Sequence, residues 1–321
     1  MPRYLVLRML GIIPQLMLLS ILAFLIMKAA PGDPVASLVG GREFMTEADY
    51  QRVSRNLGLD RPVFVQYGIW FENILNDDWG RSIVDGREIR GIVLEGLRAT
   101  LILVGFSWLM ISLLAISGGY WAGTRAHSWA DYVISALALV SFATPAFWLG
   151  LILILIFAVR FEWLPSAGQS TLGREGSLAD QAAHLVLPVM TIVLTHVGPY
   201  IRLVRGSVRD VLSADFFRAA RARGLARITL IRHYLLPNAL TPFITWAGFS
   251  FPLLVGGIFI VEWVFGWPGI GRLFLQAAIS RNYPLLMAVV LVTGVLVIIG
   301  NLVADLLVAW LNPKLRRGHG R

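Results

Sequence analysis

Six stretches of the chain run without a single Asp, Glu, Lys or Arg: Met9 to Met27, Ala99 to Thr124, Tyr132 to Val159, Gln181 to Ile201, His233 to Val261 and Asn282 to Ala304. A bilayer core of ~30 Å needs ~20 apolar residues at the helical rise, and backbone polar groups in lipid have to be satisfied inside the segment. Each stretch therefore predicts a membrane-spanning helix. The composition agrees, with 57% hydrophobic and 15% charged residues among 321, too apolar for a soluble chain of this size. The competing reading, helices buried in a large soluble core, asks for shorter segments with a polar face.

The first stretch follows Arg3 and Arg8 in the manner of a secretory signal, but it runs into Lys28-Ala29-Ala30-Pro31, a poor cleavage context, and reads as a retained first span. There is no cysteine, which removes disulfides, a thiolate nucleophile and any Cys-based metal site.

Six spans put both termini on one side, and the basic residues indicate which. Residues 1–8, 125–131, 202–232 and 305–321 carry 15 Lys plus Arg against 4 acids, whereas the opposite side carries 13 against 15. Nine of those 13 cations sit in the long segment 28–98, where the positive-inside rule has little force. The first group is expected in the cytoplasm. The net charge of +9 then reflects topology and contact with anionic membrane lipid, and no nucleic-acid partner is expected.

About 70 residues separate the first two spans, too many for a structureless connector. Thr46-Glu47-Ala48-Asp49 resembles a capped helix start, Gly58 a stop, and Pro62 the first turn of a helix running to Asn76-Asp77-Asp78. Asp85-Gly86 then turns the chain into Arg87–Arg98. A small folded cap results, whose Tyr67, Trp70, Phe71 and Trp79 either dock an outside partner or pack the cap itself.

The loop before the fifth span reads as two short helices. Ser213 or Asp215 can cap the first, Phe216, Phe217, Ala219 and Ala220 form a compact apolar edge, and Gly224 is a natural left-handed terminator. Leu225, Ile228, Ile231 and Leu235 repeat at helical spacing before Pro237 opens the next span. Small alanines let another backbone approach closely, which suits insertion into a groove of a second protein. An Arg-rich loop of this kind is also what membrane topology alone demands.

The order Arg218-Ala219-Ala220, three residues, Gly224, nine residues, Tyr234, one residue, Leu236-Pro237 resembles the EAA loop of ABC-importer permeases. Arg218 stands for the Glu and Tyr234 for the Ile of that pattern. The Asp215-Phe216 pair before the basic Arg221 matches the variant found in the dipeptide, oligopeptide and nickel permease family. The resemblance extends through Ala30-Pro31-Gly32-Asp33-Pro34, Leu57-Gly58-Leu59-Asp60-Arg61-Pro62, Trp79-Gly80-Arg81-Ser82, Trp163-Leu164-Pro165, Trp267-Pro268-Gly269-Ile270-Gly271-Arg272 and Asn312-Pro313-Lys314-Leu315-Arg316.

That resemblance implies an all-α, polytopic membrane protein of six transmembrane helices with the type I ABC-importer permease (MetI-like) fold and a small periplasmic cap between helices 1 and 2. The implied division is 1–28 for the N-terminus and first span, 29–98 for the cap, 99–311 for the permease core with its coupling loop 202–237, and 312–321 for a cytoplasmic tail. The implied partners are a second permease subunit in a heterodimer, two cytoplasmic ATPase subunits that hold ATP and Mg, and a periplasmic solute-binding protein. No cofactor or metal is expected on this chain, and no catalytic residue. The binding protein sets selectivity, so the solute stays open among di- or oligopeptides, nickel chelates, glutathione and opine-like conjugates.

Ionisable groups at membrane depth are functional candidates by default, and they are few: His196, Glu262 and Asp305. Glu262 and Asp305 fall near the two interfaces, where pairing with nearby arginines is the plainer reading, and His196 reads as a satisfied helix-packing group. Glu262 to Arg272 is expected to leave span five and turn at the outer surface, with Trp263 and Trp267 at headgroup depth and Pro268-Gly269 breaking the helix. Glu262, Trp267, Pro268 and Gly269 are thus candidates for a gate or a docking element. A secondary transporter would place charged coupling groups near mid-membrane and repeat its halves. An intramembrane enzyme would show Gly-x-Ser-x-Gly, His-Glu-x-x-His or a phosphate loop. Neither pattern is present.

Overall fold

The computed structural model describes residues 2–29, 46–56 and 60–311, without the side chains of 2–10, 26, 27, 29, 53, 56, 247–256, 304, 305 and 307–311. The expected stop at Gly58, the motifs at 30–34, 57–59 and 312–316, the 312–321 tail and the side chain of Asp305 lie outside the described residues. In chain order the first helices are α1 (Pro2–Ala29), α2 (Glu47–Asn56), α3 (Val63–Leu75), α4 (Ile89–Thr124) and α5 (Trp129–Ala143). Next come α6 (Ala146–Leu153), prolonged by a π-helix over Ile154–Arg160, then α7 (Leu178–Ser213) and α8 (Asp215–Ala222). One turn at Arg227–Thr229 and a π-helix at Leu230–Leu235 lead into α9 (Leu236–Gly257), α10 (Phe259–Val264), α11 (Ile270–Ile279) and α12 (Tyr283–Leu311). Among the described residues the one β feature is an isolated bridge between Arg81 and Glu88, so the fold is all-α as expected.

Among the described residues α4, α7 and Tyr283–Val303 of α12 are each long and apolar enough to cross a membrane, and α5 with α6 forms a fourth candidate if taken as one bent span. The expected spans Met9–Met27 and His233–Val261 fall on α1 and on α9 with its neighbours, whose side chains are described only in part. The third expected span is not one straight helix: its two halves bend by 104° at Thr144-Pro145. Proline has no N–H and disfavours the helical conformation of the residue before it. Thr144 is accordingly extended (φ −87, ψ 122), and its hydroxyl donates to the Val140 carbonyl at 2.7 Å. The fourth helix continues three turns beyond Ile201 to Ser213, so the start of the expected loop 202–232 is helical.

The chain divides into two compact units, residues 1–99 with 268–298 and residues 100–267 with 299–321. In the first, Ile89, Ile92 and Val93 pack with Ile270, Ala277, Leu285, Ala288 and Val289, rimmed by Trp79 and Leu273. The cap begins as expected, with the Thr46 hydroxyl accepting from the Asp49 amide at 3.2 Å. Its aromatics serve packing: Phe24 of α1 meets Tyr67 and Trp70 of α3 at centroid distances of 5.6 and 6.2 Å, and Tyr67 stacks on Phe71. The Tyr67 hydroxyl is 2.8 Å from that of Ser20.

The Trp79-Gly80-Arg81-Ser82 motif owes its place to a buried amide. Asn282 donates from Nδ2 to Ser82 Oγ at 2.9 Å and accepts from the Ile83 amide at 3.4 Å. The turn between is closed by hydrogen bonds from the Ser82 amide to the Arg87 carbonyl and from the Gly86 amide to the Ser82 carbonyl, both 2.9 Å. Within it the Ser82 hydroxyl and the Arg87 amide hold the Asp85 carboxyl below its ordinary range.

In the second unit α5 lies against α7 at a distance that only glycine permits. A Cβ at Gly198 would run into the Ala138 carbonyl, and the Gly198 amide donates to Ser141 Oγ at 3.2 Å. Gly119 and Gly123 of α4 meet Val204 and Val208 in the same way, a Cβ at Gly119 falling 2.6 Å from the Val204 side chain. Such small-residue seams are how helices associate where lipid offers no hydrophobic drive. One end of the α5–α7 pair is closed by a fork: Arg205 donates through Nε to Asp131 Oδ1 and through Nη2 to Oδ2, the latter at 2.8 Å. The Asp131 side chain is 2% exposed and accepts also from the His127 amide at 3.0 Å.

Two outcomes test this packing. Asp131→Ala strands Arg205 and is expected to cost about 2 to 3 kcal/mol, between exposed and fully buried ion pairs; an unchanged thermal midpoint in detergent would rule out the fork as a clamp. Gly198→Leu is expected to force α5 off α7 and abolish a monodisperse elution peak, while Gly176→Leu, whose Cβ meets nothing within 4 Å, leaves the peak intact.

Candidate functional site

The α8 helix hangs from the end of α7 by a single residue. Ser213 is the last residue of α7, and its hydroxyl turns back to the Asp210 carbonyl at 3.0 Å. Ala214 is the N-cap, with no side-chain bond. The expected capping by Ser213 or Asp215 is therefore not found: Asp215 is already helical, and its carboxylate accepts from Arg218 Nη2 at 2.7 Å. That is one turn along the exposed face, where a carboxylate also suits the positive helix start.

The expected apolar edge of four residues splits in two. Phe217 and Ala220, three apart, are buried where α8 packs on the end of α7 and on the Leu230–Leu235 segment. Phe216 and Ala219, also three apart, point outward with Asp215, Arg218 and Arg221. The helical repeat places alternate pairs on different faces, so the surface open to another molecule is Phe216 with Ala219, flanked by the arginines.

Gly224 ends the helix as expected, at φ +73 with its amide donating to the Arg221 carbonyl at 3.1 Å. A left-handed residue here is strained for any side chain but glycine's. The helical spacing expected for Leu225, Ile228, Ile231 and Leu235 is only partly realised. After one turn the backbone widens into a π-helix, burying Leu230 and Leu235 and leaving Ile228 exposed. The wide turn absorbs Pro237, which has no N–H to give the preceding turn. Leu236 begins α9.

At the other candidate site the residues fall in different units. Glu262 is fully buried inside α10 and accepts from the Thr100 hydroxyl at 2.6 Å. The Trp267 amide donates to the Glu262 carbonyl at 2.8 Å, and the Phe265 carbonyl accepts from the Gly168 amide at 2.9 Å. Trp267 is 1% exposed: the Phe265-Gly266 turn, with Gly266 at φ +57, folds its ring into the chain. Trp263 stays exposed. In the first unit Pro268 is exposed and Gly269 is the buried N-cap of α11. His196 Nδ1 lies 2.9 Å from the Ile192 carbonyl and from Thr195 Oγ1, a satisfied group within its own helix.

Asp131 and Arg205 were not singled out by sequence reasoning. Arg205 looked like one more topology charge, and a partner 74 residues away leaves no local signal. The one clue is Asp131 itself, an acid at the edge of a long uncharged stretch in a segment whose single cation is Arg125.

Residues 115–317 match the family described as "Binding-protein-dependent transport system inner membrane component", and residues 1–87 match its N-terminal companion. The oligopeptide transport system permease protein AppB of Bacillus subtilis is 37% identical over 316 residues, covering 98% of this chain and 99% of that protein. The glutathione transport system permease protein GsiC of Escherichia coli K12 is 34% identical over 316 residues, with the same coverage. A solved chain of the MetNI methionine ABC transporter in an inward-facing conformation superposes with a TM-score of 0.56 at 20% identity, over 70% of this chain and 97% of that one, a likeness of fold alone. On the family match and the end-to-end relatives, the chain belongs to the binding-protein-dependent transport system inner membrane components.

Proposed function

We propose that this chain, a permease of the ABC-importer type, forms half of a translocation pathway for di- or oligopeptides or a related small solute delivered by an outside binding protein. The observation that carries the coupling part of the reading is the Phe216–Ala219 face of α8, exposed on a short helix mounted on a 36-residue helix that crosses the second unit. Peptides lead among solutes because AppB is named for oligopeptides, and glutathione, the solute in the name of GsiC, is itself a small peptide.

In this reading Asp215, Phe216, Arg218, Ala219, Arg221 and Gly224 present a docking surface to a cytoplasmic ATPase. Ala220, Leu236 and Pro237 hold that surface against the chain. ATP and Mg bind to the two ATPase subunits, a second permease completes the pathway as a heterodimer, and both termini lie in the cytoplasm with residues 29–98 as a cap outside. Closure of the ATPase pair moves α8, and α7, clamped to α5 through Asp131 and Arg205, carries that motion into the membrane. Glu262, Trp267, Pro268 and Gly269 act as a structural turn near the outer end. The secondary-transporter alternative falls with the family assignment, since its members serve binding-protein-dependent systems.

The test is to purify the chain alone and with its partner subunits in vesicles. The assembled complex is expected to hydrolyse ATP faster when loaded binding protein is added, and the chain alone to hydrolyse none; hydrolysis by the isolated chain would overturn the reading. Ala219→Glu is expected to reduce co-purifying ATPase at least about tenfold by placing an unpaired charge in the contact, with the variant still folded and inserted. Ala220→Glu, at a buried position, is expected instead to lower the thermal midpoint of the chain itself. Equal ATPase recovery with Ala219→Glu would remove α8 from the coupling contact.

A further inference from the structure

We propose that the end of the second unit around Arg125, His127 and Arg209 is a seat for an anionic phospholipid headgroup in the leaflet on the side of α8. This goes beyond the importer reading and depends only on the chain being embedded in a bilayer.

Two helices lead to the seat in the same order of chemistry. On α4 the exposed side chains Phe106, Leu109 and Leu113 are succeeded by exposed Trp121 and then by Arg125. Leu113 and Thr124, the last residue of α4, are separated by ~16 Å of helical rise, close to the depth of one leaflet's hydrocarbon, half of ~30 Å, and Arg125 follows at once. On α5, read toward its start, exposed Val140 and Leu139 give way to Tyr132 and then to Trp129, which is 80% exposed. Large apolar groups, then aromatic rings, then cations is the sequence of environments from lipid tails through the interfacial belt to phosphate. The exposed aromatic rings Trp121 and Trp129 lie at the ends of the two helices that the Arg125–Ser128 turn joins.

The cations are placed to meet a phosphate. Arg125 lies with its guanidinium carbon 5.2 Å from the Trp121 ring centroid, which steers the charge along the aromatic face. Arg209 Nη2 stands 3.5 Å from His127 Nε2, and His127 is fixed in a left-handed turn at φ +66 with its amide on Asp131. Asp131 is buried and already forked by Arg205. Asp210, the next acid along α7, is exposed about 100° around the helix from Arg209. Arg125 and Arg209 thus offer donors at the membrane surface with no acid between them that is not already engaged, and their planar forks suit phosphate.

The test uses the full chain, alone and in its assembled complex, in nanodiscs of phosphatidylcholine with phosphatidylglycerol, followed by counting the lipids that stay bound after detergent extraction. The double variant Arg125→Gln with Arg209→Gln is expected to retain about a fifth or less of the phosphatidylglycerol held by the parent, relative to phosphatidylcholine. Arg174→Gln, in the segment before the start of α7, is expected to retain it all. A photo-crosslinking residue in place of Trp129 is expected to label lipid. Equal retention by the double variant, labelling of an ATPase subunit instead of lipid, or displacement of the lipid by inorganic phosphate alone would each overturn the proposal. Failure to assemble with ATPase subunits would count against the importer reading only, since lipid retention is also measured on the chain by itself.

Discussion

Everything in the second unit follows from how closely α7 can lie on α5. Gly198 sets that separation, because any side chain there would strike the Ala138 carbonyl, and Ser141 rewards the approach with a hydrogen bond to the Gly198 amide. In lipid there is no hydrophobic gain in bringing two apolar helices together, so contact distance and polar bonds decide whether they associate. The Asp131–Arg205 fork then fixes rotation and register at one end. A carboxylate so deeply buried is tolerable because its acceptors are satisfied by the guanidinium and by the His127 amide.

That arrangement turns α7 into a rigid mount for α8. Only Ala214 intervenes between them, and Phe217 with Ala220 ties α8 back to the chain. Force applied to the outer face of α8 therefore reaches α7 with little slack. Proline at 188 and 199 does not break this helix, and between them the Thr191 and Thr195 hydroxyls are satisfied within the helix, donating to the Leu187 and Thr191 carbonyls at 2.9 and 2.7 Å. A long helix that carries prolines but is never unwound is suited to transmit displacement along its axis.

How much of this could be read beforehand depends on whether the controlling interaction is local. The uncharged runs located α4, α7 and α12 because a spanning helix is written in consecutive residues. Gly224 was legible for the same reason, a left-handed stop being a property of one residue. The aromatic residues misled where sequence supplies only type and not direction: Trp267 is core while Trp263 is exposed, and of Phe216 and Phe217, adjacent in sequence, the first is exposed and the second buried. Asn282 and Ser82, 200 residues apart, and Asp131 and Arg205, 74 apart, meet only in the folded chain. The bend at Thr144-Pro145 is not legible from the proline alone, since proline in a membrane helix is often absorbed without a break.

The widened backbone at Leu230–Leu235 makes the connection between α8 and α9 intolerant of changes in length. A π turn holds one residue more than an α turn, so its contour already contains a surplus amino acid locked in place by Pro237. Inserting one more residue between Gly224 and Leu236 would exceed what the wide turn holds and rotate what precedes it by roughly 100°. Phe216 and Ala219 would swing off their bearing even though every side chain in the motif had been kept. Spacing, as much as residue identity, is what this junction transmits.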